Sequence, residues 1–331
     1  MPQPLSNQVV VVTGASSGIG RATALEFGRR GAKVVAAARN EHALATLVEE
    51  VRAAGGEALA IRTDVAVPED VYALADRAEQ HYGRIDTWVN NAAVAVWGRV
   101  EDTTDAEFDR VTRVNFLGQV YGVHAALPAL RRAGGGVIIG VSSAEALRAV
   151  PMHAAYTASK WALRGFYDSL RMELAESKDA IAVTTILPAG IATPFFEHAR
   201  SKVGAMPSPP PPTYAPEVVA EAIVRASIKP TREVPVGGAT VGFLLGQRLS
   251  PAMTDTVMSL TSFARGVQTA DRVDNGTDNL DAPLAEPGRS RGSFPDPVLE
   301  SSAFTRFIGH RRRPGEVVGT VVHGLRRAAS R

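Results

Sequence analysis

Residues 9–20 read Val-Val-Val-Val-Thr-Gly-Ala-Ser-Ser-Gly-Ile-Gly, and this stretch sets the architecture of the chain. Four successive β-branched residues without a helical period predict a strand that is buried on both faces, as in a parallel sheet. The turn that follows leads into a helical pattern. Gly14 allows a tight turn, Gly18 lets a pyrophosphate approach the backbone, and Gly20 lets the helix pack closely on the strand. Because a helix N-terminus favours a bound phosphate, the stretch predicts a nucleotide-binding strand–turn–helix unit.

The rest of residues 8–237 alternates short apolar runs with longer helical patterns. Further strands are predicted at 33–38, 58–61, 87–90, 137–141, 183–187 and 234–236. Helices are predicted at 40–53, 68–82, 105–132, 153–176 and 216–228. This alternation predicts an α/β fold: a doubly wound, seven-stranded parallel sheet with helices on both faces.

Residues 238–331 depart from this pattern and are predicted to form a C-terminal extension. Its first part, 238–266, is apolar but broken by glycines, which predicts partial helix. Residues 270–303 are rich in Asp, Asn, Gly, Pro and Ser, a composition typical of loop or disorder. Residues 316–329 place valines on one helical face, which favours packing on the protein's own body or on a second subunit. The alternative is a helix on a membrane surface.

Composition excludes several classes of protein. The 331-residue chain has no cysteine, which excludes disulfides, zinc thiolate sites and thiol catalysis, and no metal site is expected. Basic residues are dispersed except at 311–313 and 326–327, so a nucleic-acid site is not expected. Residues 1–8 lack the pattern of a signal peptide, and the apolar stretch 234–245 is too short to span a bilayer. A cytoplasmic location is the expectation.

Tyr156 and Lys160 lie four residues apart in a predicted helix, so they share one face. A phenol titrates near pH ~10, and lowering that value by ~2.5 units takes ~3.4 kcal/mol. One ammonium at ~4 Å supplies ~4 kcal/mol at an effective dielectric constant of ~20. The pair therefore predicts an acid/base that works near neutral pH, whereas the alternative is an ordinary solvated helix face.

A series of motifs in order along residues 8–195 resembles the short-chain dehydrogenase/reductase family, whose single-domain members share the Thr-Gly-x-x-x-Gly-x-Gly and Tyr-x-x-x-Lys patterns. The others are Asn90-Asn91-Ala92-Ala93, Asn115, Ser143 at thirteen residues before Tyr156, and Pro188-Ala189-Gly190-Ile191-Ala192-Thr193. Ala93 and Ala189 stand where the family pattern has glycine. The resemblance implies a Rossmann-type catalytic domain over residues 1–237, with a lid at about 194–215.

The resemblance also implies hydride transfer between a nicotinamide and a carbonyl or alcohol carbon. It assigns Tyr156 as the acid/base, and Lys160 as the group that lowers the Tyr156 pKa and holds the nicotinamide ribose. It assigns Ser143 as the hydrogen-bond partner of the substrate oxygen and Asn115 as a residue that holds a water molecule. Competing interpretations are a helix-polar role for Asn115 and a turn aspartate at Asp64. Cofactor contacts are expected from Gly14, Ser16, Ser17, Gly18, Ile19, Gly20, Arg39, Asp64, Val65, Asn91, Ala92, Tyr156, Lys160, Pro188, Ile191 and Thr193.

The end of the second predicted strand favours NADP(H) over NAD(H). A site that selects NAD often places an acid there to bind the ribose 2′-hydroxyl. This chain has Ala38 at that position, followed by Arg39, whose guanidinium can pair with a 2′-phosphate. The alternative is a surface arginine at the start of a helix.

The substrate end is predicted to be apolar, with pocket residues Trp97, Glu145, His153, Phe195 and Phe196. Core packing is the competing use of the aromatic members. The favoured interpretation is an NADP(H)-dependent oxidoreductase. Two alternatives remain: a 3-oxoacyl-thioester reductase, and a non-catalytic NADP(H)-binding sensor or scaffold protein. The expected partners are a small-molecule substrate and further copies of the chain, in a homodimer or homotetramer. Any membrane contact is expected through the C-terminal tail.

Overall fold

A computed structural model describes residues 3–260 and 269–307. Its centre is a sheet of seven parallel strands, which confirms the predicted α/β fold. The strands are β1 (Val9–Thr13), β2 (Lys33–Ala38), β3 (Glu57–Arg62), β4 (Thr87–Asn90), β5 (Gly136–Val141), β6 (Ile181–Pro188) and β7 (Glu233–Val236). They lie side by side in the order β7-β6-β5-β4-β1-β2-β3. The order reverses between β1 and β4, and in such sheets a crevice opens at the carboxyl ends of the strands at that point.

β1 contains four successive valines because each face of the strand packs into a separate hydrophobic core. Val9 and Val11 pack into the cluster on one face of the sheet, together with residues such as Leu74. Val10 and Val12 pack into the cluster on the other face, together with residues such as Phe27. Successive side chains of a strand point to opposite faces, so a strand between two helical layers needs apolar residues at every position.

The helical layers consist of α1 (Gly18–Arg29), α2 (Glu41–Ala53), α3 (Pro68–Tyr82), α4 (Asp105–Thr112), α5 (Gly118–Arg132), α6 (Ala154–Glu176) and α7 (Pro216–Ile228). Local signals explain several of the ends. Pro68 occupies the first turn of α3, and Gly83 ends that helix with φ 79°. A capping box between Thr104 and Glu107 begins α4.

The helical stretch predicted near 105–132 is present, and it contains a π-helical segment, Arg113–Leu117, between α4 and α5. Such wide turns occur mostly at functional sites, and no residue pattern in the sequence marks this one. The segment contains Asn115, which is fully buried.

The described part of the extension contains α8 (Ala239–Leu249), α9 (Pro251–Leu260), α10 (Ala303–Phe307) and two short strands. The strand Thr269–Val273 pairs antiparallel with Ala205–Pro207, and Val298–Leu299 pairs parallel with Thr213–Tyr214. The stretch 270–303, predicted as loop or disorder, contains most of these two strands and the first residue of α10. Residues 274–297 are irregular and lie on the body of the protein, where Leu280 is 1% exposed. The helix predicted at 316–329 and both arginine clusters lie outside the described residues. Within 3–260 and 269–307, no helix has the length and apolarity needed to cross a membrane.

Candidate active site

A cleft opens at the carboxyl edge of the sheet, and the glycine turn forms its floor. Gly14 and Gly18 have φ values of +66° and +55°, a region that residues with a Cβ rarely adopt. A Cβ on Gly14 would lie 2.7 Å from Ala92 Cα, and one on Gly20 would lie 2.2 Å from the Gly14 carbonyl oxygen. Gly14 therefore shapes the turn, while Gly20 permits the close contact between α1 and β1.

The loop after β4 is tied to the glycine turn. Asn91 Nδ2 donates to the Thr13 carbonyl at 2.9 Å, and the Asn91 N–H donates to Thr13 Oγ1 at 3.0 Å. The segment after β6 meets the turn from the other side, since a Cβ on Gly18 would lie 3.2 Å from Thr193 Cβ. Three separate stretches of the chain thus converge at the N-terminus of α1, where backbone N–H groups favour a phosphate.

One end of the cleft contains Ala38, Arg39 and Asp64. Arg110 pairs with Asp64 at 2.9 Å, and the Ala66 N–H donates to Asp64 Oδ1 at 3.0 Å. Burial raises the pKa of the Asp64 carboxyl, but the Ala66 N–H and Arg110 outweigh that effect and keep the pKa below its usual value. Asp64 is therefore ionised beside two guanidinium groups, and its contacts include those of a turn aspartate.

At the centre of the cleft lie Ser143, which follows β5, and Tyr156 and Lys160, one turn apart on α6. Lys160 Nζ is 5.3 Å from the centre of the Tyr156 ring and donates to the Val141 carbonyl at 3.0 Å. Tyr156 and Lys160 are both buried. The i, i+4 spacing read from the sequence thus places the phenol and the ammonium at one site.

Burial dominates the titration of this pair. It raises the pKa of the Tyr156 phenol, the Glu145 carboxylate raises it further, and a hydrogen bond with Ser143 acts in the opposite direction. Burial also lowers the pKa of the Lys160 ammonium to about 7, against the pull of Glu145. Lys160 was expected to lower the phenol pKa, but in the chain without a cofactor the phenol pKa is raised. Burial takes both groups out of water, and this disfavours the phenolate as well as the ammonium.

Asn115 does not line the cleft. Its Oδ1 accepts from the Val94 N–H at 2.8 Å, and its Nδ2 donates to the Val94 carbonyl at 2.9 Å and to Ser159 Oγ at 3.2 Å. These bonds hold the loop after β4 against α6, so the side chain positions neighbouring segments.

The other end of the cleft is aromatic. The His153 ring stacks on Tyr156 with centroids 4.3 Å apart, and the Phe195 centroid is 5.4 Å from that of Tyr156. Glu145 lies 3.0 Å from His153 Nδ1 and accepts a hydrogen bond from Thr157 at 2.6 Å. Trp97 does not belong to the pocket: it is fully buried behind His153, with its ring 4.1 Å from the imidazole.

The cleft contains all the predicted site residues except Gly20, Trp97 and Asn115. Those that line it are Gly14, Ser16, Ser17, Gly18, Ile19, Arg39, Asp64, Val65, Asn91, Ala92, Ser143, Glu145, His153, Tyr156, Lys160, Pro188, Ile191, Thr193, Phe195 and Phe196. The sequence did not reveal a further group of lining residues from the extension: Asn279, Pro283, Leu284, Glu286 and Gly288. Their stretch has no periodicity, and the leucines at 280 and 284 are the large apolar residues of an otherwise polar segment that could have indicated attachment to the body.

A glycine turn at the switch point of a parallel sheet, with serine, tyrosine and lysine on the same cleft, defines a nicotinamide-dependent oxidoreductase. Residues 8–204 match the family model described as short chain dehydrogenase. The chain belongs to the short-chain dehydrogenase/reductase family.

Individual relatives agree with this assignment. The chain is 41% identical to the uncharacterized oxidoreductase YxnA of Bacillus subtilis over 256 residues, 77% of this chain and 72% of that protein. It is 39% identical to the versicolorin reductase stcU of Emericella nidulans over 193 residues, 58% of this chain and 72% of the relative. Among solved structures, an alcohol dehydrogenase of Thermococcus sibiricus complexed with 5-hydroxy-NADP matches with a TM-score of 0.60 and 28% identity, over 69% of this chain and 95% of that one.

Proposed function

We propose that the protein is an NADP(H)-dependent oxidoreductase that interconverts a carbonyl and an alcohol on a hydrophobic substrate, with Tyr156 as the acid/base. One observation carries the proposal: Ser143, Tyr156 and Lys160 line the same cleft as the glycine turn. A protein that only senses a dinucleotide needs none of these three side chains.

The residues present fit a dinucleotide. The left-handed Gly14 and Gly18 shape the turn at the N-terminus of α1, and a turn of this kind stabilises a pyrophosphate through backbone N–H groups. Lys160 and Asn91 lie where they can hold the nicotinamide half, and Arg39 and Asp64 lie at the adenosine half. When bound, the nicotinamide supplies or accepts the hydride at its C4 atom.

Preference for NADP(H) is supported at the end of β2. Ala38 leaves no carboxylate at the position that often binds the ribose 2′-hydroxyl, and Arg39 and Arg110 bring two guanidinium groups to this corner. Both would favour a 2′-phosphate, which an acid at residue 38 would repel. The solved alcohol dehydrogenase was itself complexed with an NADP derivative.

Tyr156 is well placed as a proton donor. Because its pKa is raised by burial, its hydroxyl is protonated at neutral pH and can protonate a nascent alkoxide. The Ser143 hydroxyl, next to it in the cleft, can donate a hydrogen bond to the same oxygen and stabilise its developing charge.

The substrate end favours an apolar carbonyl compound. Phe195 and Phe196 line the cleft beside the Tyr156 ring, and Val150 adds an aliphatic wall. Such a surface contributes about 25 cal/mol for each Å² of apolar substrate that it removes from water.

We also propose a homodimer or homotetramer. Trp161 and Met172 lie eleven residues apart on α6, which places them on one face of that helix, and they are 42% and 66% exposed. An apolar helix face of this kind is suited to contact with a second copy. Light scattering coupled to gel filtration is expected to give a mass above that of one chain, and the mass of a monomer would contradict this.

The proposed reaction is tested with a panel of apolar ketones, simple polar ketones and acyl thioesters, following NADPH absorbance. We expect turnover of apolar ketones with a kcat/KM at least tenfold higher with NADPH than with NADH. A higher kcat/KM with NADH would overturn the cofactor preference. Turnover confined to 3-oxoacyl thioesters would replace the substrate proposal by the thioester reductase alternative.

A further inference from the structure

A segment of the extension lies across the mouth of the cofactor cleft. Residues 278–293, called the strap below, contribute Asn279, Pro283, Leu284, Glu286 and Gly288 to the cleft lining. The strap lies outside the part of the chain that matches the family model, which ends at residue 204. Its presence on this cleft is therefore a feature of this chain beyond the family pattern.

The strap is bonded to the adenosine end of the cleft. Arg39 donates from Nη1 to the carbonyl oxygens of Leu280 and Asp281, at 3.3 and 3.1 Å, and from Nη2 to that of Asn279. Asn40 Nδ2 donates to the Leu284 carbonyl at 2.6 Å. Strap backbone thus holds the arginine that is proposed to recognise the 2′-phosphate.

Ion pairs bond the strap to the segment that follows β6, on the opposite side of the cleft. Arg200 pairs with Asp278 at 2.9 Å and with Asp281 at 2.8 Å. Glu286 lies 2.7 Å from His198 Nε2. The strap therefore spans the cleft from one rim to the other.

The middle of the strap lies directly on the glycine turn. The Gly18 N–H donates to the Arg289 carbonyl at 3.0 Å. A Cβ on Gly288 would lie 2.1 Å from the Ser16 carbonyl oxygen, so only a glycine allows the strap to approach this closely. The Gly292 N–H donates to the Ala192 carbonyl at 3.0 Å, beside Thr193.

Leu280 is the apolar anchor of the strap. It is 1% exposed and packs in the same core cluster as Val65 and Val114, behind the adenosine corner. A buried leucine in an irregular polar segment concentrates the strap's hydrophobic contact in one side chain. Removing that side chain is the most direct way to loosen the strap.

We propose that the strap is a wall of the dinucleotide site that retains the adenosine half of the bound cofactor and must release from both rims for the cofactor to exchange. The inference rests on the proposed cofactor site. The glycine turn and the strap line the same cleft, and the strap is bonded at both rims. A ligand held in that cleft leaves only after those bonds break, so the strap slows dissociation. Arg39 would have two roles: it would contact the 2′-phosphate, and it donates hydrogen bonds to three carbonyl oxygens of the strap.

The test measures NADPH dissociation by stopped-flow displacement in the full chain. Leu280→Ala is expected to raise the dissociation rate and the Kd of NADPH at least tenfold, with the hydride-transfer rate at saturating NADPH unchanged in a single turnover. Leu249→Ala is the matched control, because Leu249 is 80% exposed and lies outside the strap. It is expected to leave NADPH dissociation unchanged.

A second variant loosens the strap without touching the core. The double substitution Asp278→Asn and Asp281→Asn removes the two strap carboxylates that pair with Arg200, which keeps its pair with Glu107 at 3.3 Å. It is expected to raise the dissociation rate of NADPH, as Leu280→Ala does. Its control, Glu79→Gln with Asp179→Asn, removes carboxylate partners of Arg132 and Arg131 away from the cleft. Cooperative thermal unfolding of each variant verifies that it is folded.

The outcomes separate this inference from the proposed function. If the unsubstituted chain binds no NADPH, the proposed function fails and the strap has no cofactor to retain. If it binds NADPH and both strap variants release it at the unsubstituted rate, the strap inference is wrong. Tighter NADPH binding by the variants would also overturn it, since the strap would then compete with the cofactor.

Discussion

At the scale of single residues, the site depends on the burial of groups that water would normally solvate. Lys160 is 1% exposed, and its ammonium donates to one carbonyl, that of Val141. The Tyr156 ring stacks on His153, and the Phe195 ring lies near it at an angle of 55°. This environment keeps the phenol protonated and brings the Lys160 pKa close to neutral, where small changes in surroundings alter its charge.

Burial of Lys160 predicts a stability that depends on pH. Its pKa is lowered from 10.5 to about 7 in the folded chain, so between these values the unfolded chain binds one more proton than the folded chain. Stability therefore rises with pH across this range, by at most ~1.4 kcal/mol per pH unit from this group. The same contribution is lost as the pH falls from 10.5 to about 7.

The substitution Lys160→Met isolates this effect. Urea unfolding of both proteins between pH 7 and pH 10 is expected to show the unsubstituted chain gaining stability relative to Lys160→Met as the pH rises. The difference between the two proteins cancels the other titrating groups. A difference that stays constant over this range would show that the lysine keeps an ordinary pKa, and a difference that falls with pH would show a raised pKa; either result contradicts the lowered pKa.

At the scale of elements, the junction of β1 and α1 is the most constrained part of the fold. The substitution Gly20→Ala places a Cβ 2.2 Å from the Gly14 carbonyl oxygen and 2.5 Å from Asn91 Nδ2. Such overpacking costs ~1–3 kcal/mol, and the backbone shift it forces displaces the turn. We expect lower stability together with weaker NADPH binding.

Gly242→Ala is the matched control for that substitution. Gly242 lies within α8, and a Cβ there would meet no atom within 4 Å. Replacing a helical glycine by alanine is expected to stabilise the chain by ~0.5–1 kcal/mol and to leave NADPH binding unchanged. Urea titrations and fluorescence titration with NADPH measure both effects. Equal stability and equal affinity in the Gly20→Ala variant would contradict the role given to Gly20.

The elements also show what the sequence could and could not predict. The valine run and the alternation that follows it predicted all seven strands, because each strand between two helical layers must be apolar on both faces. The π-helical turn at Arg113–Leu117 was missed, since it changes backbone bonding without changing residue types. The strap was missed because irregular segments bonded through backbone carbonyls, as at Arg39, leave no periodic pattern.

At the scale of the whole molecule, the extension contacts both ends of the cleft. On the substrate side, Arg148 bonds to Gln247 of α8 at 2.7 Å and pairs with Asp255 of α9. On the cofactor side, the strap spans the rims. Phe294, which follows the strap in the sequence, packs on Phe196 with ring centroids 6.2 Å apart. This contact links the strap to the aromatic end of the cleft. The family fold thus supplies the chemistry, while the extension encloses it.

Turnover of the Tyr156→Phe variant addresses the proposed chemistry most directly. The change removes one hydroxyl from the cleft, and loss of a general acid lowers turnover by ~10²–10⁴-fold. Tyr167→Phe is the control, because Tyr167 is a fully buried phenol on the same helix, bonded to Gln119 and outside the cleft lining. We predict that Tyr156→Phe binds NADPH with a Kd within threefold of the unsubstituted chain and loses at least ~99% of its kcat for ketone reduction, whereas Tyr167→Phe retains its kcat. A Tyr156→Phe variant with near-normal kcat would show that this phenol is not the proton donor.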